Sequence, residues 1–262
     1  MPEFKSENNF ERGWSSRLLA SLLLGGQILV HLLRGKTSYS KIIEHMVTVG
    51  PGSLYPVILV IGAAGMIFTI QTARELSRFG AVSAVGGAFA VAFCRELAPV
   101  LTASIVAGQV GCAYAAEIGA MKVNEQLDAL YMLKTDPIDY LVIPRVVACC
   151  LMLPVLSVLG LVVGLGGGVF AATTFYKLPA NIFLDSVRSF LVPWDLVSLV
   201  LKSLVFGAIV GVIGCSWGLT TSGGVKGVGA SATGAVVTSW VGIFIVDIFL
   251  TLILFEELPV SL

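Results

Sequence analysis

Residues 94–130 read CRELAPVLTASIVAGQVGCAYAAEIGAMKVNEQLDAL, and three kinds of chemistry follow one another along them. Arg95 and Glu96 open an apolar run of 20 residues, Leu97 to Ala116, which holds no charged side chain and ends at Glu117. A charge-mixed polar segment follows at once. About 20 apolar residues are what a helix needs to cross ~30 Å of hydrocarbon. A water-soluble fold has little use for a spanning run with an ion pair at one edge and a polar docking-type element at the other.

The rest of the chain agrees. Its 262 residues are 56% apolar and only 12% charged, and the mean hydropathy is +0.94. A soluble domain carries about 25% charged residues, so this chain cannot coat a globule with ions. A bilayer asks for no such coat. A β-barrel would alternate apolar and polar residues in ~10-residue strands, whereas these runs are apolar on all sides. The fold class is therefore an all-α, polytopic membrane protein. The formal net charge is zero, so no basic field invites nucleic acid. Cys94, Cys112, Cys149, Cys150 and Cys215 lie in apolar stretches without a C-x-x-C and read as small buried hydrophobes. The polar N-terminus shows no cleavable signal pattern, which suits a bacterial-type protein of the inner (plasma) membrane inserted through its own spans.

Residues 1–13 form a polar tail. Residues 14–36 place Arg17, Ser21, Gln27, His31 and Arg34 on one side of a helical wheel and leucines on most of the rest. That pattern fits an amphipathic helix in the membrane interface; the alternative is a first span spoiled by Arg and His. Residues 37–262 form one transmembrane domain with spans at about 51–73, 97–117, 144–174, 194–217 and 232–255. A polar elbow, Lys36–Glu44, leads into the first span, and a charged loop with Arg74, Glu75 and Arg78 leaves it. Residues 80–94 are either re-entrant or the outer part of a long bent helix running through Pro99. The segment 176–193 connects spans three and four, and the Gly/Ser/Thr-rich segment 218–231 reads as a flexible loop. An N-terminus inside puts ten Lys and Arg on the cytoplasmic side and four (Arg74, Arg78, Lys177, Arg188) outside, as the positive-inside rule requires. The 118–143 insertion is then cytoplasmic and the acidic C-terminus external.

Two stripes of small residues run along the second span at i+4 spacing. One is Ala103, Ala107, Gly111, Ala115 and Gly119; the other is Ser104, Gly108, Cys112, Ala116 and Ala120. Such stripes let helix backbones approach closely in lipid, which assigns helix packing to Gly108, Gly111, Ala115 and Gly119. Arg95 and Glu96 sit where charges cost a few kcal/mol each on insertion scales and usually face a cavity or a partner. Adjacent helical residues point about 100° apart and cannot neutralise each other face to face. At least one must look elsewhere, and Lys202, about two turns past Asp195 in the fourth span, is a candidate. The readings are a polar patch along a substrate path or an interfacial ion pair at a helix end. In the insertion, Val123, Leu127, Leu130 and Tyr131 recur at 3–4 spacing with Glu125, Gln126 and Asp128 opposite, and Asp136-Pro137 stops the helix. A short cytoplasmic helix of this kind fits a soluble partner's groove or lies on the membrane surface. No nucleotide-binding G-x-x-x-x-G-K-[ST], no H-E-x-x-H and no nucleophile–base constellation appears. Neither a catalytic residue nor a metal site nor a cofactor is expected, and any nucleotide hydrolysis falls to another chain.

The stretch Arg95 to Leu130 resembles the signature of the MlaE/YrbE permease family, whose plastid relatives are lipid-trafficking permeases of the chloroplast envelope. The resemblance extends to DLVSLVLKSLVFGAIVGVIGC (Asp195 to Cys215) and ATGAVVTSWVGIFIVDIFLTLILF near the end. It departs from the pattern at Gln109, where many relatives carry Arg. The resemblance implies the membrane subunit of an ABC transporter moving phospholipid between membranes. It implies a homodimer, each copy docking an ATPase subunit through the coupling helix (Glu117, Lys122, Glu125, Gln126, Asp128), with MCE-domain lipid-binding proteins on the outer side. It places Arg95, Glu96, Asp195 and Lys202 along the lipid pathway. Two other readings stay open: an ion-coupled secondary transporter using Glu96 or Asp247, and a membrane scaffold that recruits soluble partners.

Overall fold

The computed structural model describes Ser21, residues 23–28 and residues 39–255. Among these residues there is no strand. Helix α1 runs Tyr39–Arg78, and α2 runs Val82–Val123. The short helix α3 is Gln126–Met132, and α4 is Ile138–Tyr176. Helix α5 is Ala180–Phe190, α6 is Pro193–Leu219 and α7 is Gly224–Phe255. The five long helices have 40, 42, 39, 27 and 32 residues and are apolar enough to cross a membrane, so the chain is an all-α membrane protein. Their outward side chains fit lipid as solvent: Ile245, Ile248, Phe249, Leu252 and Ile253 of α7 are all exposed.

Each connection has a local chemical cause. After α1, Gly80 takes φ +71°. The Ala81 N–H then donates to the Leu76 carbonyl and the Gly80 N–H to that of Ser77, the paired bonds of a Schellman stop. The same pair ends α3, from Thr135 to Leu130 and from Lys134 to Tyr131. There Lys134 occupies the left-handed position at φ 55°. Asp136 Oδ1 accepts the Ile138 N–H at 2.9 Å, so Asp136-Pro137 starts α4 as well as stopping α3. Pro193 opens α6 at its first position, where a missing N–H costs nothing.

The chain divides into two compact units, and each long helix supplies residues to both. The first comprises residues 1–46, 106–149 and 208–242. Its core gathers Ala115, Ile213, Trp217 and Ala235. A Cβ on Gly214 would lie 2.9 Å from the Gly111 carbonyl oxygen, so α2 and α6 touch through backbone there. The second comprises 47–105, 150–207 and 243–262. Its core is built on Ile61, Phe89, Phe93, Phe183 and Leu199, with Phe89 and Phe93 ring centroids 5.1 Å apart. Gly65 of α1 meets Gly164 of α4 so closely that a Cβ would overlap the Gly164 carbonyl. Helix α5 buries Phe183, Ser186 and Val187, and Ser186 Oγ accepts the Gly87 N–H at 2.9 Å.

Of the two readings of 80–94, the long helix through Pro99 holds, with α2 starting at Val82. Other expectations change. Arg74, Glu75 and Arg78 are not in a loop but close α1, whose helix also takes in Pro51, Pro56 and the elbow from Tyr39 on. The 176–193 connection contains α5, too short to register as a span. The glycine-rich segment is helical from Gly224, and just beyond it Gly234 lies under the Trp217 indole. The tail 1–13, nearly all of the 14–36 helix, and Glu256 and Glu257 lie outside the described residues.

Candidate functional site

Arg95 and Glu96 of α2 sit on a π turn, Phe93–Leu97. Such turns are rare and concentrate at functional sites. Pro99 has no N–H to give the carbonyl of residue 95, and that carbonyl is instead taken by Lys202 Nζ at 3.0 Å. The wide turn also presents Arg95 and Glu96 to the same neighbour, α6, where Asp195 and Lys202 lie about two turns apart on one face. Arg95 Nε donates to Asp195 Oδ1 at 2.7 Å. Asp195 is buried, and its Oδ2 accepts the Val192 N–H at 3.0 Å. That bond caps the start of α6 from its third position, where helix dipole and carboxylate agree.

Lys202 is fully buried. Its Nζ lies 2.9 Å from both Glu96 oxygens and 2.7 Å from Thr251 Oγ1. It is 2.8 Å from Asp247 Oδ1. An ammonium has three protons, which four hydrogen-bonded oxygens share, while Asp247 adds an ion-pair contact. Thr251 in turn donates to Glu96 Oε1 at 3.0 Å. Two cations thus face three carboxylates, a formal excess of one negative charge. Burying an ammonium at membrane depth is costly unless it is paired, and here it is paired twice. Arg95 differs: its side chain is 28% exposed and its guanidinium carbon stands 4.4 Å from the centre of the Phe255 ring. Among the described residues its Nη groups make no hydrogen bond.

The structure therefore brings together all four residues expected along the substrate path, in two pairs. Sequence reasoning missed Asp247 and Thr251 as partners of Lys202. The available signal was a lone acid inside the otherwise apolar run of α7.

The five residues expected at the coupling helix separate. Glu125, Gln126 and Asp128 are exposed on or beside α3. Glu117 instead accepts from Arg145 Nη2 at 2.9 Å, and Lys122 Nζ donates to the Leu219 carbonyl. Leu127 is buried, while Tyr131, Met132 and Leu133 are 62%, 86% and 74% exposed. Desolvation, with Asp136 and Asp128 adding, raises the Tyr131 phenol above its ordinary value, so this tip stays uncharged. In the small-residue stripes, Ala103, Ala107, Gly111, Ala115 and Gly119 are all buried, whereas Gly108 faces open space.

Five long apolar helices with a buried, multiply paired cation define a polytopic membrane protein with a polar centre. The profile described as Permease MlaE matches residues 42–253, and the chain belongs to the MlaE permease family. It is 53% identical over 243 residues to a probable ABC transporter permease protein of Synechocystis sp., covering 93% of this chain and 92% of that one. It is 47% identical over 240 residues to the chloroplastic protein TRIGALACTOSYLDIACYLGLYCEROL 1 of Arabidopsis thaliana, covering 92% of this chain and 69% of that protein. A probable ABC transporter permease of Pyropia yezoensis is 42% identical over 243 residues, covering 93% and 92%. The chain is an ABC transporter permease, a membrane component rather than an enzyme.

Proposed function

We propose that this permease moves phospholipid between membranes, as a homodimer driven by a separate ATPase and served by an MCE-domain lipid-binding protein, in a bacterial inner membrane. The observation that carries the reading is Arg95. Asp195 holds its Nε, Phe255 lies beneath its guanidinium, and among the described residues the Nη fork makes no hydrogen bond. A planar fork of this kind suits a phosphate diester in two-point contact. The name of the Arabidopsis relative, a glycerolipid's, supports a lipid cargo. Exposed Glu125, Gln126 and Asp128, with the apolar tip of α3, support this segment as the ATPase contact.

The test is reconstitution of the permease with its ATPase and MCE protein between donor and acceptor vesicles, following a fluorescent phospholipid. Transfer should need ATP and fall about tenfold or more in Arg95→Gln, in line with loss of a charged hydrogen-bonding pair. Transfer driven by an ion gradient without ATP would refute the reading.

A further inference from the structure

One buried cation takes no part in the charged cluster. Arg145, in the first unit, is 6% exposed. Its Nη2 donates to Glu117 at 2.9 Å and its Nη1 to the Leu141 carbonyl at 3.4 Å. Its guanidinium carbon lies 5.3 Å from the Tyr114 ring centre. Tyr114, itself buried, meets the His45 ring edge-on at 5.8 Å. The start of α4, the last third of α2 and the beginning of α1 therefore meet on one guanidinium and one phenol ring.

The position of this pair in the chain matters more than its contacts. Glu117 and Arg145 stand 28 residues apart and bracket the whole insertion that carries α3. Helix α3 has seven residues, too few to be stable alone, and Leu127 is its one buried side chain. It is entered through Glu125 and left through Lys134, both in the left-handed region at φ 58° and 55°, where a non-glycine residue is strained. An element anchored so lightly takes its orientation from its stems. The stems are joined by a pair whose guanidinium is buried and whose carboxylate is 54% exposed. Water reaches the acid, so the pair can open without unfolding the core.

We infer that the Glu117–Arg145 pair is the clasp that positions the α3 tip, Tyr131–Met132–Leu133, for the ATPase. Glu117 acts as a positioning residue through Arg145 rather than by touching the partner. The assignment rests on the reading of α3 as the ATPase contact, and its test separates the two. Full-length permease in nanodiscs is compared with Glu117→Gln, Arg145→Gln and the double variant. Three readouts are followed: tryptic cleavage after Lys134 without ATPase, ATPase retained per permease, and the ratio of lipid-stimulated to basal hydrolysis.

An opened clasp raises cleavage in both single variants, because proteolysis follows the population of the open form. It lowers the stimulation ratio by roughly tenfold, within the range of ordinary coupling energies. The double variant is no worse than Arg145→Gln alone, because the two residues act as one. Glu117→Gln, altered at a half-exposed carboxylate, decides the matter where Arg145→Gln does not fold. Wild-type cleavage in Glu117→Gln, or single effects that multiply in the double variant, overturns the clasp. Failure of the wild-type permease to retain ATPase overturns the docking reading, and the cleavage comparison then judges the clasp by itself.

Discussion

Replacing Lys202 by Met keeps the length of the side chain and removes its charge. The ammonium it removes lies within 2.7–3.0 Å of five oxygens. Glu96 and Asp247 are then left facing each other, with Thr251 still donating to Glu96. Removing one partner of a buried pair typically costs about 3–5 kcal/mol. Glu96 is 39% exposed and can recruit water, whereas Asp247 is 13% exposed and cannot do so readily. The loss should therefore fall near the lower limit, about 3 kcal/mol, or roughly a hundredfold in the folding equilibrium. The assay is equilibrium unfolding in mixed micelles, titrated with SDS. A triple variant, Lys202→Met with Glu96→Gln and Asp247→Asn, removes the stranded carboxylates and should recover all but about 1 kcal/mol, since apolar or neutral replacements of whole ion networks are often tolerated. A single variant that loses less than ~1 kcal/mol, or a triple variant as damaged as the single, would refute the account of Lys202 as the counter-ion of both acids.

Three further outcomes follow from the geometry. Asp195→Asn should lose about 1–2 kcal/mol in the same unfolding assay, because Asn weakens both the cap on Val192 and the tie to Arg95. Gly65→Ala should destabilise by about 1–3 kcal/mol, since its Cβ would meet the Gly164 carbonyl, whereas Gly108→Ala should change stability by less than ~0.5 kcal/mol because it meets nothing within 4 Å. Met132→Asp, at a side chain 86% exposed, should abolish ATPase co-purification while the unfolding midpoint stays at the wild-type value.

The spans were legible because hydrocarbon imposes one demand, length of apolar sequence, that a single chain displays openly. Their ends were not. Arg74, Glu75 and Arg78 read as a loop, yet a charged last turn at the interface is as acceptable to a helix as to a loop, and only the stop at Gly80 sets the boundary. Glycine misled for a related reason. Glycines at 223, 224, 227 and 229 signal a turn, and Gly223 and Gly224 do make one at φ 88° and 66°; further along α7 Gly234 instead lets the Trp217 indole approach closely. The sequence also suggested Lys202 as a partner for the Arg95–Glu96 pair, but not Asp247, which lies 45 positions further along. Nothing local links an acid in one span to a cation in another. Glu117 and Lys122 show the complementary limit: their place on the rim of a polar insertion pointed to a partner protein, while the structure ties both back to their own chain.

The order of charges within the cluster has a physical reason. Asp195 and Lys202 share a face of α6, with the acid in the first turn and the base seven residues further in. An acid is favoured at that end by the helix dipole, and Val192 offers it an N–H. A lysine in that first turn would oppose the dipole and leave the Val192 N–H uncapped. The sites on α6 are therefore not interchangeable, and they dictate the order Arg95-Glu96 on the facing π turn. Exchanging Arg95 and Glu96 keeps the composition and the formal charge, but sets acid against Asp195 and base against Lys202. Pro99 adds a second constraint, because the carbonyl at position 95, to which it has no N–H to give, accepts from Lys202 Nζ. Backbone and side chain of one dipeptide are thus read together by a single helix, which is why a proline at the third residue of the apolar run coexists with an unbroken α2.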